Sequence, residues 1–339
     1  MKNTASHHHH HAPLARHEQL NKATIRQLSQ LKPWRSTAHL FLEYVFIFVA
    51  ILLVNQYRNP ILYILTVMWI GARQHAMAIM LHEASHYRIV KNKKLNDLMG
   101  EVLLAFPLFV TVHSYRLSHM AHHRHTNTSF DPDWVSKETP EWEFPKTRNE
   151  LFFILAKILM GMNAFWMVKL IVSGGRSAKA DTSSVSKEKK ASRLFVAGRI
   201  SYYVALVAVL SYFGLWLQFF LFWIVPLFTW LQVILRIRSI AEHFGLDYDH
   251  TFTNARTTYP SLFDRIFLVS KNVWFHLDHH LYPSVPFYNL PALHEELQKI
   301  PSFRDKAHIT QSYYGVLMEC TSEPMLKAHH EHEAALSPS

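Results

Sequence analysis

The sequence predicts an all-α integral membrane protein: four transmembrane helices in two hairpins, with a cytosolic cap that carries clustered histidines. Three observations predict it. Hydrophobic residues make up 49% of the chain and gather in long runs instead of spreading evenly. Those runs come in pairs, each pair broken by only a few residues. Lys and Arg collect between the runs, as the positive-inside pattern requires.

The elements follow in order. Residues 1–37 form a polar tail whose Arg16, Lys22, Arg26, Lys32 and Arg35 place it in the cytosol. No apolar core with a cleavage site follows, so it is not a secretory signal, and the run His7 to His11 resembles an expression tag. The first apolar run is "HLFLEYVFIFVAILLV" at 39–54; after the break "NQYRNP" a second begins near Ile61. Each approaches the ~20 residues needed to cross a bilayer, and the tight break makes an antiparallel hairpin. Counting from that turn, Glu43 and Arg73 lie at similar depth. Because a lone charge in a bilayer is costly, they are predicted to pair.

Two further apolar stretches, 98–112 and 151–172, are read as interfacial or re-entrant segments. If each spanned singly, the histidines between them would face the opposite side from the rest. Lys157 and Lys169 also favour an interfacial 151–172. Residues 173–192, rich in Gly, Ser and Lys, read as a polar loop. A second hairpin, "FVAGRISYYVALVAVLSYF" and "LWLQFFLFWIVPLFTWLQVIL", joins near Gly214, and beyond Arg236 the chain turns polar. The domain reading is a tail at 1–37, a membrane domain at 38–300 and a C-terminal tail at 301–339.

Composition excludes several classes. The net charge is +10, yet no basic stripe carries interleaved aromatics, so nucleic acid is not a partner. The single cysteine, Cys320, rules out an internal disulfide and a thiolate metal site. Any metal must be bound by His, Asp or Glu.

Three histidine knots supply such ligands: "HEASH" at 82–86, "HMAHHRH" at 119–125 and "HLDHH" at 276–280. Residues three and four apart share a helix face. His82 and His86 are i and i+4. His119, His122 and His123 are i, i+3 and i+4, as are His276, His279 and His280. His125 falls roughly 240° from His119 at about 100° per residue and should face away. Eight imidazoles exceed what one ion takes and suit two, with iron, copper or zinc all compatible by ligand type. The isolated His113, His250, His294 and His308 read as surface or packing residues, while His75 sits on the His82 face two turns deeper, where it could line a substrate channel. A metal transporter would hold its ligands near the bilayer midplane, whereas these lie at span ends.

The motifs HxxxH, HxxHH and HxxHH, in this order and spacing, resemble those of the membrane fatty acid desaturase superfamily. The flanks "RHTNTSFDPDW" and "HHLYPSVPFYNLPALH" match too, and the resemblance covers about residues 38 to 300. It implies a non-haem centre of two Fe held almost wholly by histidine, with a further ligand after the last span. His243 in "IAEHFG" stands there, and Ser239 occupies the position of a polar residue that touches iron through water. Glu83, Asp131, Asp133, Glu242 and Asp278 are candidates to orient ligand imidazoles. The implied activity is O2-dependent desaturation of a fatty acyl chain of a lipid. The alternative is hydroxylation or oxygenation of a lipid, carotenoid, sterol or alkane. No HPGG-type haem motif or Gly-rich nucleotide loop is present, so a separate ferredoxin, rubredoxin or cytochrome b5-type electron donor is implied. The implied location is a multi-pass protein of the bacterial inner membrane with its active site facing the cytosol.

Overall fold

The computed structural model describes residues 14–165, 168–169, 193–248 and 250–321. The histidine run at 7–11, the 173–192 loop and residues 322–339 lie outside the described residues. A short helix α1 (Lys22–Leu28) leads into α2 (Pro33–Tyr57) and α3 (Pro60–Ser85), both long and apolar enough to cross a membrane. Their turn is built from Arg58 in the left-handed region (φ 46°), Asn59 and Pro60. The Asn59 side chain accepts from the Ile61 and Leu62 N–H groups at 2.8 and 3.1 Å. Pro60 opens α3, where a missing N–H costs nothing.

One stripe of α2 is buried: Ser36, Leu40, Glu43, Ile47 and Val54. Its other faces expose Phe41, Val45, Phe48 and Leu52, apolar surface that suits lipid and not water. On the buried stripe the expected pair forms, with Arg73 Nη1 3.3 Å from Glu43 Oε2. A second cation, Lys271, closes on the other carboxylate oxygen at 2.5 Å. The Arg73 guanidinium also lies 4.4 Å from the centre of the Trp69 ring. The carboxylate is thus compensated from two elements distant in sequence.

Helix α4 (Lys93–Gly100) runs into a π turn at Glu101–Ala105 and an irregular stretch up to α5 (Val112–His125). Irregular backbone packed among candidate spans needs donors from neighbouring protein. Tyr44 of α2 donates to the Leu103 carbonyl. Tyr203 donates to the Phe106 carbonyl at 3.1 Å, and Trp223 Nε1 to that of Pro107 at 2.9 Å. Gly100 lets this segment press on α3 and α5, since a Cβ there would meet Ala84 at 2.9 Å and Val112 at 2.8 Å. Helix α6 (Arg148–Leu159) has 12 residues, too few to span. It starts at a Thr147–Glu150 capping box.

Helix α7 (Arg193–Tyr212) and helix α8 (Trp216–His243) supply the other two candidate spans, with Gly214 between them at φ 65°. Inside α8 a π turn at Phe220–Ile224 precedes Pro226, and the axis breaks at Thr229 (φ −118°, ψ −89°). Pro226 has no N–H with which to continue the ladder. Below the break α8 packs on α3 so closely that a Cβ on Gly71 would lie 3.0 Å from the Trp230 side chain.

The remainder comprises α9 (Leu262–Phe267), α10 (His276–Leu281), α11 (Leu290–Leu297), α12 (Pro301–Lys306) and α13 (Tyr313–Glu319). Two three-residue strands, β1 (Thr257–Tyr259) and β2 (Ile309–Gln311), pair in parallel with Thr257 opposite Ile309. The fold is mostly helical, with this small departure from the all-α expectation. Residues 301–321, assigned from sequence to a C-terminal tail, instead join the fold. β2 pairs with β1, and Tyr313, Val316 and Cys320 bury against the apolar side of α8. These pieces of six or seven residues are too short to show a helical period in the sequence.

Candidate metal centre

Four helices deliver the predicted histidines. The end of α3 gives His82 and the adjoining cap residue His86; α5 gives His119, His122 and His123; the end of α8 gives His243; α10 gives His276, His279 and His280. Nine rings converge in two groups: His82, His86, His119, His123 and His279 in the first, and His122, His243, His276 and His280 in the second. Within each group one ring nitrogen per residue lies within 4.8 Å of all the others.

The partition differs from the reading of one convergent face per box. In "HMAHH" the i and i+4 rings join the first group and the i+3 ring the second. In "HLDHH" the assignment is reversed. Helix geometry explains it: i and i+4 differ by about 40°, whereas i+3 and i+4 differ by about 100°. Each HxxHH box therefore offers two directions, and both are used.

The donor chemistry fits metal ions better than hydrogen bonding. His119 Nε2 lies 2.9 Å from both His86 Nε2 and His123 Nε2, and His123 Nε2 is 3.1 Å from His279 Nε2. In the second group His276 Nε2 lies 2.9 Å from His243 Nε2 and 3.0 Å from His280 Nε2, which is 3.3 Å from His122 Nε2. A neutral ring nitrogen carries one proton or one lone pair and cannot serve two such partners. Nitrogens bound at right angles to one ion at about 2.1 Å stand about 3.0 Å apart, as here. His82, buried with neither ring nitrogen hydrogen-bonded, also needs such a partner.

The outer nitrogens set the tautomers in the second group. His122 Nδ1 donates to Asp131 Oδ2 at 2.8 Å, His276 Nδ1 faces Glu242 Oε1 at 3.2 Å, and His243 Nδ1 faces the Asn254 carbonyl at 3.3 Å. With the proton on Nδ1, the Nε2 lone pair turns inward. Asp131 is itself held by the Asn127 and Asp133 N–H groups.

The other proposed carboxylates behave differently. Glu83 stands 3.6 Å from His82 Nδ1 and accepts instead from the Phe287 N–H at 3.0 Å. Asp133 binds Lys137. Asp278 touches no box imidazole by hydrogen bond. It accepts from Thr257 Oγ1 at 2.8 Å and from His294 Nδ1 at 2.7 Å. His294 is thus a buried link between Asp278 and the Tyr259 hydroxyl, not a surface residue.

Ser239 lines the cavity beside the second group and accepts from Lys137 Nζ at 2.5 Å. His125 lies tilted against Phe130, ring centres 5.8 Å apart, and joins neither group. His75 is buried against the Leu268 carbonyl, 2.8 Å from its Nδ1.

Burial keeps the box rings neutral. It pulls His86 down to about 4 and His123 to about 2, and holds His119, His276, His279 and His280 well below the usual imidazole value. His122 is the exception. Burial opposes its charge, but the hydrogen bond and charge of Asp131 outweigh burial and raise it.

Sequence reasoning missed the charged wall next to the second group. Lys137, Arg236 and Arg238 line a cavity of about 410 Å³ that reaches His119, His122, His243 and His276. The legible signal was a polar stripe of Gln232, Arg236, Ser239 and His243, at i, i+4, i+7 and i+11, in a helix otherwise apolar enough to span.

Comparison with known proteins agrees with this geometry. The fatty acid desaturase family profile matches residues 58–312. The chain is 26% identical over 310 residues to dihydrorhizobitoxine desaturase of Bradyrhizobium elkanii, covering 89% of this chain and 86% of that protein. It is 26% identical over 270 residues to sn-1 oleoyl-lipid 12-desaturase of Anabaena variabilis, covering 70% and 69%. It is 22% identical over 246 residues to sn-1 acyl-lipid omega-3 desaturase (ferredoxin) of a Nostoc strain, covering 68% and 66%. The chain therefore belongs to the fatty acid desaturase family, as an oxidoreductase whose clustered histidines are suited to hold metal.

Proposed function

We propose that this chain is an O2-dependent acyl-lipid desaturase whose nine clustered histidines hold two iron ions, one in each group. The observation that carries the reading is the pair of convergent, largely buried imidazole sets, most of their rings held neutral, in a member of this family. The ligands are His82, His86, His119, His123 and His279 for one ion, and His122, His243, His276 and His280 for the other. When bound, iron supplies the reduction of O2 that removes two hydrogens from adjacent carbons, with two outside electrons and two protons completing two waters.

The chain's own residues do the rest. Asp131 and Glu242 fix the Nδ1 protons of His122 and His276. Burial excludes water from most of the rings and keeps their lone pairs free. The four-residue second group has fewer ring ligands than the first and opens on the cavity, so substrate is placed on that side.

In the membrane, α2 with α3 and α7 with α8 form two hairpins, and the cap carrying the boxes faces the cytosol. Arg88, Lys91, Lys93 and Lys94 after α3 support that side. Residues 38–300 form the membrane domain, with 301–321 packed onto it. Bacterial relatives support the inner membrane, and the Nostoc relative's name supports a separate donor of ferredoxin type. Metal analysis of the purified chain tests the reading together with mass spectrometry of lipids from expressing cells. Two irons per chain and lipids lighter by two hydrogens are expected, with the lipid product absent and the iron content lowered in His279→Ala. A single zinc, or lipids heavier by one oxygen, overturns it.

A further inference from the structure

We propose that the cavity beside the second histidine group seats an anionic end of the substrate, a carboxylate or a phosphate, with Arg236 as its principal contact. The inference rests on the desaturase reading and names the substrate class: an amphiphile whose charged end enters the protein instead of staying at the membrane surface.

The cavity, about 410 Å³, lies within the usual size range of ligand sites, but its lining is not the usual apolar one. Apart from Tyr115, only Trp142, Ile158 and Leu235 give it apolar wall. One side is the α8 stripe of Gln232, Arg236, Ser239 and His243, with Asn163 and Lys137 also lining the space. Polar groups in a helix able to span a membrane are costly and mark a path or a site. A slot built for hydrocarbon alone gains nothing from them.

Charge singles out Arg236. Lys137 is paired with Asp133 and Arg238 with Glu242, each at 2.5 Å, and both carboxylates line the same cavity. Arg236 pairs at 2.9 Å with Glu141, whose side chain is 54% exposed and is not part of the lining. The wall thus holds three cations against two carboxylates, and the surplus sits on Arg236. That side chain is 8% exposed, and its guanidinium carbon sits over the Trp142 ring, 3.7 Å from the ring centre. It gives one nitrogen to the Glu141 carbonyl and one to its carboxylate, so the remaining N–H groups of its five are available to an anion. Arg236 is seven residues from His243, about 10 Å along the helix. A molecule anchored there extends along the stripe to the second group.

The test is binding to the purified full-length chain in detergent, read by calorimetry with hexanoate, hexyl phosphate and hexanol. One or both anions should bind at least about tenfold more tightly than hexanol, the preferred anion naming the headgroup, and Arg236→Gln should erase the difference. Glu141→Gln, which frees Arg236 from its competing carboxylate, should tighten the preferred anion. Hexanol binding as well as both anions, as in a merely hydrated inlet, overturns the proposal. So does an anion preference that survives Arg236→Gln or fails to rise in Glu141→Gln. The readout needs no turnover. A chain that forms double bonds but shows no anion preference keeps the desaturase reading and rejects this one, and the converse result does the opposite.

Discussion

The two histidine groups are built from the same boxes yet differ in what surrounds them. The first has five rings, and the carboxylate facing it, Glu83, stands 3.6 Å from His82 Nδ1. The second has four rings, two of them backed by carboxylates, and three of its members line the polar cavity. A nearly complete imidazole shell leaves an ion little room for anything else. A smaller shell with basic, oriented ligands leaves open positions and raises the electron density on its ion. On the proposed two-iron reading, the first group would hold its ion and the second would exchange with substrate and solvent.

The hardest test of that contrast removes a ring from each group. His280→Ala should abolish desaturation and release the second ion while the first stays bound. His279→Ala should also abolish desaturation, and because that ring bridges toward His123 it should lower occupancy of the first. Metal-to-protein ratios check both, and equal loss of both ions in each variant would break the comparison.

Outer-shell changes should follow, at about 10–100-fold in metal retention. Asp131→Asn and Glu242→Gln should each speed loss of the second ion to a chelator. Glu83→Gln should change loss of the first ion much less, because its contact to His82 is longer.

Acidification should separate the groups further. A proton competes with metal at His122, which Asp131 holds above the usual value of 6.5. His86 and His123, held near 4 and 2, resist protonation. As pH falls from 7.5 to 5.5, metal content should drop first from two ions to one. In the metal-free chain the signs oppose. The stabilising share of His122 is full below 6.5 and lost as pH rises through its folded value. His86 costs nothing above 6.5 and destabilises progressively as pH falls toward about 4. Metal analysis after dialysis at stepped pH checks the order of release, and the first group emptying first would reverse the assignment.

The smallest effect belongs to His125→Ala. It packs against Phe130 outside both groups, so metal content should stay at the wild-type value and stability should change by about 0.5 kcal/mol or less. A loss of either ion would place it in the centre after all.

Much of this was legible in the chain itself. Hydropathy runs gave the four candidate spans, since an apolar stretch of that length has few other uses. Depth counting gave the Glu43–Arg73 pair, and the 3–4 spacing gave eight of the nine rings. His243 entered only through family resemblance, because one histidine in "IAEHFG" has no periodic partner. Local spacing also marked five carboxylates as equal candidates, although only Asp131 and Glu242 back box rings within 3.2 Å.

What the sequence determined by itself is whatever depends on period and length: spans, turns, and which residues share a helix face. Tertiary structure alone decided how each HxxHH box divides, because rings about 100° apart join two groups only if histidines of other segments meet them on both sides. It also decided that Lys271 completes the Glu43 cluster and that Asp278 turns toward Thr257 and His294. Those contacts join residues many positions apart, and no local pattern records which distant partner a buried charge will meet.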